Sequence, residues 1–182
     1  DMVNYILSGD DTIIGSSGND KFSYSAGKDS IDGKDGIDTV DFYYYNYYYK
    51  NNKDDSLIVN LATKQYRVTT NANVVITSTI FNIENINGSN SDDRITGNDS
   101  ANRIDGNSGN DIIYGGKGND TINGGSNYYY DADQLYGEDG NDMLISSAGN
   151  TYIDGGTGND TVSYFGMNKS VYIDLSNEIG KH

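Results

Sequence analysis

Large apolar side chains recur at every ninth position over two stretches of this chain. The first stretch carries Ile13, Phe22, Ile31 and Val40. The second carries Ile95, Ile104, Ile113 and Ile122, slips by four residues, and resumes with Leu135, Leu144, Ile153 and Val162. Two residues before each stands a polar residue, in order Asp11, Asp20, Asp29, Asp38, Asp93, Asn102, Asp111, Asp120, Asp133, Asp142, Thr151 and Asp160. The residues between are rich in Gly, Asn and Ser, which reach the left-handed conformations of tight turns. A period of nine therefore predicts a six-residue turn followed by a three-residue strand, whose middle side chain points away from its two neighbours. Successive units wind into a flattened all-β coil with the apolar row stacked inside, because twelve apolar positions in register do not describe a disordered tract.

The spacing divides the chain into a first array (6–41), a different segment (42–87), a second array (88–163) and a closing piece (164–182). The slip is a four-residue insertion near 127–130, within GGSNYYYDADQLY (124–136). Residues 42–87 contain no glycine, and LIVNLA, QYRVTT and VVITSTIFNI read as three longer strands. The closing piece starts that segment again, since DTVDF (38–42) precedes LIVNLA as DTVSY (160–164) precedes VYIDLS (171–176). The chain is therefore expected to be a piece of a longer periodic protein.

The apolar row alone cannot fold the coil. Burying one large side chain per unit contributes roughly 1.5–3 kcal/mol. Ordering nine backbones costs roughly 1–2 kcal/mol each. Composition supplies a second contribution: 24 of the 27 acidic residues are Asp, 12 residues are basic, and the net charge is -15. Stacked turns would bring these carboxylates and backbone carbonyls into columns that repel themselves unless a cation intervenes. A hard divalent ion taking six to eight oxygens fits, and calcium tolerates irregular geometry better than magnesium. The short Asp arm keeps its oxygen close to the turn. A merely solvated acidic face would mix Asp with Glu and would show no fixed register.

The motif GGKGNDTIN (115–123), with GGTGNDTVS (155–163), resembles the RTX, or haemolysin-type, calcium-binding nonapeptide repeat. GEDGNDMLI (137–145), GNSGNDIIY (106–114) and GSSGNDKFS (15–23) lack only the second glycine. The resemblance implies a parallel β-roll with two units per coil and calcium between turns one coil apart. It implies carboxylate ligands from Asp20, Asp38, Asp111, Asp120, Asp142 and Asp160, with Asp11, Asp29, Asp93 and Asp133 in weaker loops. Backbone ligands would be the carbonyls of Gly15, Ser17, Asn19, Gly33, Asp35, Gly106, Ser108, Asn110, Gly115, Lys117, Asn119, Gly137, Asp139, Asn141, Gly155, Thr157 and Asn159. The uncharged Asn102 and Thr151 should weaken or empty their sites. Four units and eight units, paired one coil apart, allow about eight calcium ions. The IENINGSNSDDRITG stretch (83–97) is similar to the junctions of large secreted repeat proteins of Gram-negative bacteria. A secreted, cell-surface adhesin or surface-layer protein follows as the expected host, with the calcium module of an exported enzyme or toxin as the alternative. The absence of a visible signal peptide agrees with type I export.

Other chemistry is excluded or left open. There is no Cys, the single His is His182, and no apolar run is long enough for a bilayer. Strong acidity argues against nucleic acid. Paired acids such as Asp10/Asp11 and Asp92/Asp93 fall in the repeat register, so catalysis is not expected. The tyrosine runs Tyr43, Tyr44, Tyr45, Tyr47, Tyr48, Tyr49 and Tyr128, Tyr129, Tyr130 either cover the roll or form a contact surface for a glycan, a protein or a second copy.

Overall fold

The computed structural model describes residues 3–5, 9–24, 26–43, 56–69, 74–125, 132–146, 151–164 and 172–174. All regular structure among them is β. Before the glycine-free segment come β1 (Val3–Tyr5), β2 (Thr12–Ile14), β3 (Lys21–Ser23), β4 (Ser30–Asp32) and β5 (Thr39–Asp41). That segment forms β6 (Ser56–Asn60), β7 (Gln65–Thr69) and β8 (Val75–Phe81), and ends in β9 (Asn85–Asn87). The second array forms β10 (Asp93–Thr96), β11 (Arg103–Asp105), β12 (Ile112–Lys117), β13 (Thr121–Asn123) and β14 (Gln134–Asp139). It continues through β15 (Met143–Ile145) and β16 (Tyr152–Asp154) to β17 (Thr161–Ser163), and β18 (Tyr172–Asp174) lies in the closing piece. Most are the three-residue strands that a nine-residue period dictates, because the preceding turn consumes the rest of the unit.

Alternate units feed opposite sheets, so the chain is a parallel β-roll. The first sheet runs β1-β3-β5-β9-β11-β13-β15-β17 without interruption. Val40 pairs directly with Ile86, so this sheet passes straight from one array to the next. The second sheet runs β18-β16-β14-β12-β10-β6-β7-β8-β4-β2 and holds the glycine-free segment as an antiparallel meander. Three antiparallel strands restore the original chain direction, which lets the meander pair in parallel with β10 on one side and β4 on the other. Across the four-residue slip the parallel register is kept, since Ile113 pairs with Leu135 and Ile122 with Leu144.

The apolar row fills the interior. Phe22, Ile31, Val40, Ile95, Ile104, Ile113, Ile122, Leu135, Leu144 and Ile153 are fully buried, and Ile86 joins them as a further member of the same register. Ile13 and Val162 are only partly buried, because β2 and β17 are edge strands with a neighbour on one side. The meander adds its own core, where Tyr66 packs against Phe42 and Tyr24 at ring separations of 5.0 and 5.8 Å. Each buried Ile touches the rung above and the rung below, so its loss leaves a cavity that the flanking sheets cannot close. Ile104→Ala should therefore cost roughly 2–5 kcal/mol in urea unfolding at saturating calcium. Ile14→Ala, at a side chain 60% exposed, should stay within about 0.5 kcal/mol.

Candidate metal centre

With positions in the unit numbered from the first glycine, Gly115 is first and Asp120 sixth. Stacking places sixth residues one above another along each edge of the roll. Most sixth-residue N–H groups donate to the carboxylate one coil on; the Asp29 N–H instead donates to Ser78 Oγ (2.9 Å). Along one edge Asp20 donates to Asp38 Oδ1 (2.7 Å), Asn102 to Asp120 Oδ1 (2.8 Å), Asp120 to Asp142 Oδ1 (2.8 Å) and Asp142 to Asp160 Oδ1 (3.0 Å). Along the other, Asp11 donates to Asp29 Oδ1 (3.1 Å), Asp93 to Asp111 Oδ1 (2.9 Å) and Asp111 to Asp133 Oδ1 (3.1 Å). One oxygen of each acceptor is thereby used in building the ladder.

The other oxygen is the notable one. Oδ2 of Asp11, Asp38, Asp111, Asp120 and Asp142 is buried and has no hydrogen-bond partner among the described residues. A buried, unpaired carboxylate oxygen is costly, so a counter-charge is called for. Among the described residues the ion pairs Lys21–Asp41, Lys34–Asp32 and Lys117–Asp99 all engage other aspartates. First-position glycines show what lies opposite each oxygen. A Cβ on Gly115 would collide with Asp120 Oδ2 and stand 2.7 Å from the Gly137 carbonyl oxygen. On Gly106 it would collide with Asp111 Oδ2 and stand 2.9 Å from the Gly124 carbonyl oxygen, and on Gly137 it would collide with both Asp142 Oδ2 and the Gly155 carbonyl oxygen. These glycines have ordinary φ, so space rather than backbone conformation demands them.

Carboxylate and carbonyl oxygens thus converge on one point per turn. Among the described residues no three carboxylates or imidazoles gather. A cation here would draw most of its ligands from the backbone, an all-oxygen donor set that suits calcium. Burial pushes the carboxyls upward from the ordinary Asp range, with neighbouring Asp charges adding to it. Asp120 is pushed up to about 6, Asp38 and Asp142 are raised, and Asp93 and Asp111 are both raised strongly.

The turns are of two kinds, and the second position distinguishes them. Gly116, Gly125 and Gly156 are left-handed there, but so are Lys34, Asn107 and Glu138, at φ 73°, 67° and 70°. In the turns opening at Gly15, Gly88 and Gly97 the second residue keeps an ordinary φ and aims its N–H back into its own turn. Ser16 donates to Asp20 Oδ2 (2.6 Å), Ser89 to Asp93 Oδ2 (2.7 Å) and Asn98 to Asn102 Oδ1 (2.8 Å). The hydroxyls of Ser16 and Ser89 add a second bond to the same carboxylates. These three turns cap themselves, whereas Asp38, Asp111, Asp120 and Asp142, which follow left-handed second residues, keep a free oxygen.

Of the carbonyls named from the sequence, the first-position ones of Gly33, Gly106, Gly115, Gly137 and Gly155 face the cradle of the preceding coil. The Thr157 carbonyl accepts the Gly140 N–H (2.9 Å). Fifth-position residues act through their side chains in an outer ladder. Asn119 Oδ1 accepts the Asn141 N–H (2.9 Å), and Asn141 Oδ1 accepts that of Asn159 (2.8 Å). Asn102 spends its amide on the Glu84 carbonyl (2.8 Å) and Asn98 Oδ1 (3.2 Å), and Thr151 accepts a bond from the Ser146 hydroxyl (2.7 Å).

Two participants escaped the sequence reading. Glu84 sits in sixth-position register nine residues before Asp93, a spacing that could have revealed it, and its Oε2 accepts the Asp38 N–H (2.9 Å). Tyr66 donates its hydroxyl to Asp29 Oδ2 (3.2 Å), which no repeat signal foretells. Tyr43 is exposed, and the remaining residues of both tyrosine runs lie outside the described residues. A family model for the RTX calcium-binding nonapeptide repeat matches the chain in four copies, at 5–40, 82–113, 96–128 and 129–162. No curated protein matches the chain.

Proposed function

The chain belongs to the RTX calcium-binding nonapeptide repeat family, and from that premise we propose that it is a calcium-triggered folding module in a secreted protein. The observation that carries this reading is the set of five buried carboxylate oxygens without partners, each at the sixth position of a repeat. In low calcium these columns repel and the chain stays extended, as export through a narrow channel requires. In millimolar calcium outside the cell the columns are neutralised and the roll closes, so binding energy becomes folding energy. The role is structural: a stiff segment supporting secretion and display in an adhesin or surface-layer protein of a Gram-negative cell.

The aromatic rows favour that structural role. On the outer face of the second sheet Tyr114 stacks on Tyr136 at 4.7 Å and Tyr152 on Tyr172 at 5.3 Å, with the Arg94 guanidinium over Tyr114. Tyr114, Tyr136 and Tyr152 spend their faces on neighbours and present edges and hydroxyls, not the open faces that hold sugars. The test is flow dialysis with radioactive calcium. Several ions should bind with dissociation constants of about 0.1–1 mM, as in extracellular modules. No binding at ten times that concentration would sink the proposal.

A further inference from the structure

The glycine-free segment joins the roll differently at its two edges. At one, Asp29 is satisfied by neutral groups: the Tyr66 hydroxyl donates to its Oδ2 (3.2 Å) and Ser78 Oγ accepts its N–H (2.9 Å). Two hydroxyls from the meander fill the places that a carboxylate and a cation would otherwise take. At the Asp29 rung the carboxylate oxygen is therefore satisfied without a cation.

The other edge is built like a repeat. Glu84 Oε2 accepts the Asp38 N–H (2.9 Å), as Asp38 Oδ1 accepts that of Asp20 one coil earlier. A Cβ on Gly33 would collide with both Asp38 Oδ2 and the Asn82 carbonyl oxygen. Asn82 therefore supplies the oxygen that Gly33 supplies to the cradle of Gly15. Asn82 reaches this place through a left-handed φ of 53°, in a turn that has no glycine. The Asp38 carbonyl is gripped by the N–H groups of Glu84 (3.2 Å) and Asn85 (2.8 Å), which aligns the two strands. Asp38 is fully buried, and its Oδ2 has no partner. Unlike Asp29, it receives no hydroxyl from the meander.

We propose that Asp38, Glu84 and the Asn82 carbonyl form a calcium site at the seam between the first array and the glycine-free segment, completed by a glutamate at the register position where the repeat carries aspartate. The longer Glu arm serves a turn of three residues (82–84) between β8 and β9, where the first array has six (33–38) between β4 and β5. Here β5 passes to β9, so the ion joins coils that are 46 residues apart in the chain, where an ordinary rung spans 18. The proposal rests on the family reading of calcium binding and specifies one site within it.

The experiment counts bound calcium by flow dialysis in the full chain and in Glu84→Gln, Asp38→Asn and Tyr66→Phe. Gln retains an oxygen for the Asp38 N–H while losing the charge, so the array from Gly88 onward still folds. Glu84→Gln and Asp38→Asn should each bind one ion fewer than the parent. In saturating calcium, peptide-level hydrogen exchange should speed up over 21–41 and remain unchanged over 103–123. Tyr66→Phe should keep the full count, because its hydroxyl serves the Asp29 rung. Full count and unchanged exchange in both carboxylate variants would overturn the seam site while leaving the family reading standing. A parent that binds no calcium would overturn both.

Discussion

Withdrawing calcium at about pH 7.5 is expected to abolish most of the far-ultraviolet β signal, and lowering the pH to about 5 without calcium should restore part of it. The first effect follows from the ladders. Asp111, Asp120 and Asp142 each hold a buried oxygen that no protein donor reaches, stacked one coil from the next carboxylate. Without a cation, the folded state must keep these charges dry and adjacent, while the unfolded state hydrates them. The apolar row contributes too little per unit to offset that.

The acid effect has a definite sign. Burial raises these carboxyls in the fold above their unfolded value of 3.8, Asp120 to about 6. Between those values the folded metal-free chain binds more protons than the unfolded one, so its stability falls as pH rises through the window. For Asp120 the protonation contribution is fully present below 3.8 and is lost above about 6, while that of the more strongly raised Asp111 persists to higher pH. Calcium requires the deprotonated form, so acidification should also weaken calcium binding and release the ion. Circular dichroism across pH, with and without chelator, reads both effects. A chelated chain with an intact β signal at neutral pH would refute the coupling of binding to folding.

The second large effect is expected from a single methyl group. Gly115→Ala should lose one bound ion and destabilise the calcium form by roughly 2–4 kcal/mol, near the top of the range for point substitutions. The added Cβ would occupy the space between Asp120 Oδ2 and the Gly137 carbonyl, so cation and methyl compete for the same point. Gly18→Ala is the matched control. Its φ is ordinary and the nearest atom to an added Cβ is Ser16 Oγ at 3.7 Å, so the change should stay within about 0.5 kcal/mol. Equal losses from both variants in calcium-saturated urea titrations would show that glycine flexibility, and not the cradle, sets stability.

Much of this architecture is legible in the sequence because it is local. A turn that ends in Asp and a strand with an apolar centre are both specified within nine residues, and repetition does the rest. Glu84 was hidden by composition, since the turn before it lacks glycine and only its spacing from Asp93 and Asn102 betrays it. The second glycine proved a poor guide to turn type. Lys34, Asn107 and Glu138 adopt the left-handed form without it, whereas Ser16, Ser89 and Asn98 close their turns with their own N–H groups. Both outcomes depend on which neighbour competes for the N–H, and that competition is settled by the stack.

By itself, then, the sequence determined the period, the interior row and the column of carboxylates, because each is a property of one unit repeated. Only the tertiary structure decided that one sheet runs unbroken from Val40 to Ile86 while the other accepts a three-stranded meander. It also decided which carboxylate oxygens stay unpaired, and that Tyr66 quiets Asp29 while nothing quiets Asp38. The physical reason is that hydrogen-bond satisfaction of a buried oxygen depends on the coil above it, and across the insert that coil is supplied by residues distant in the chain.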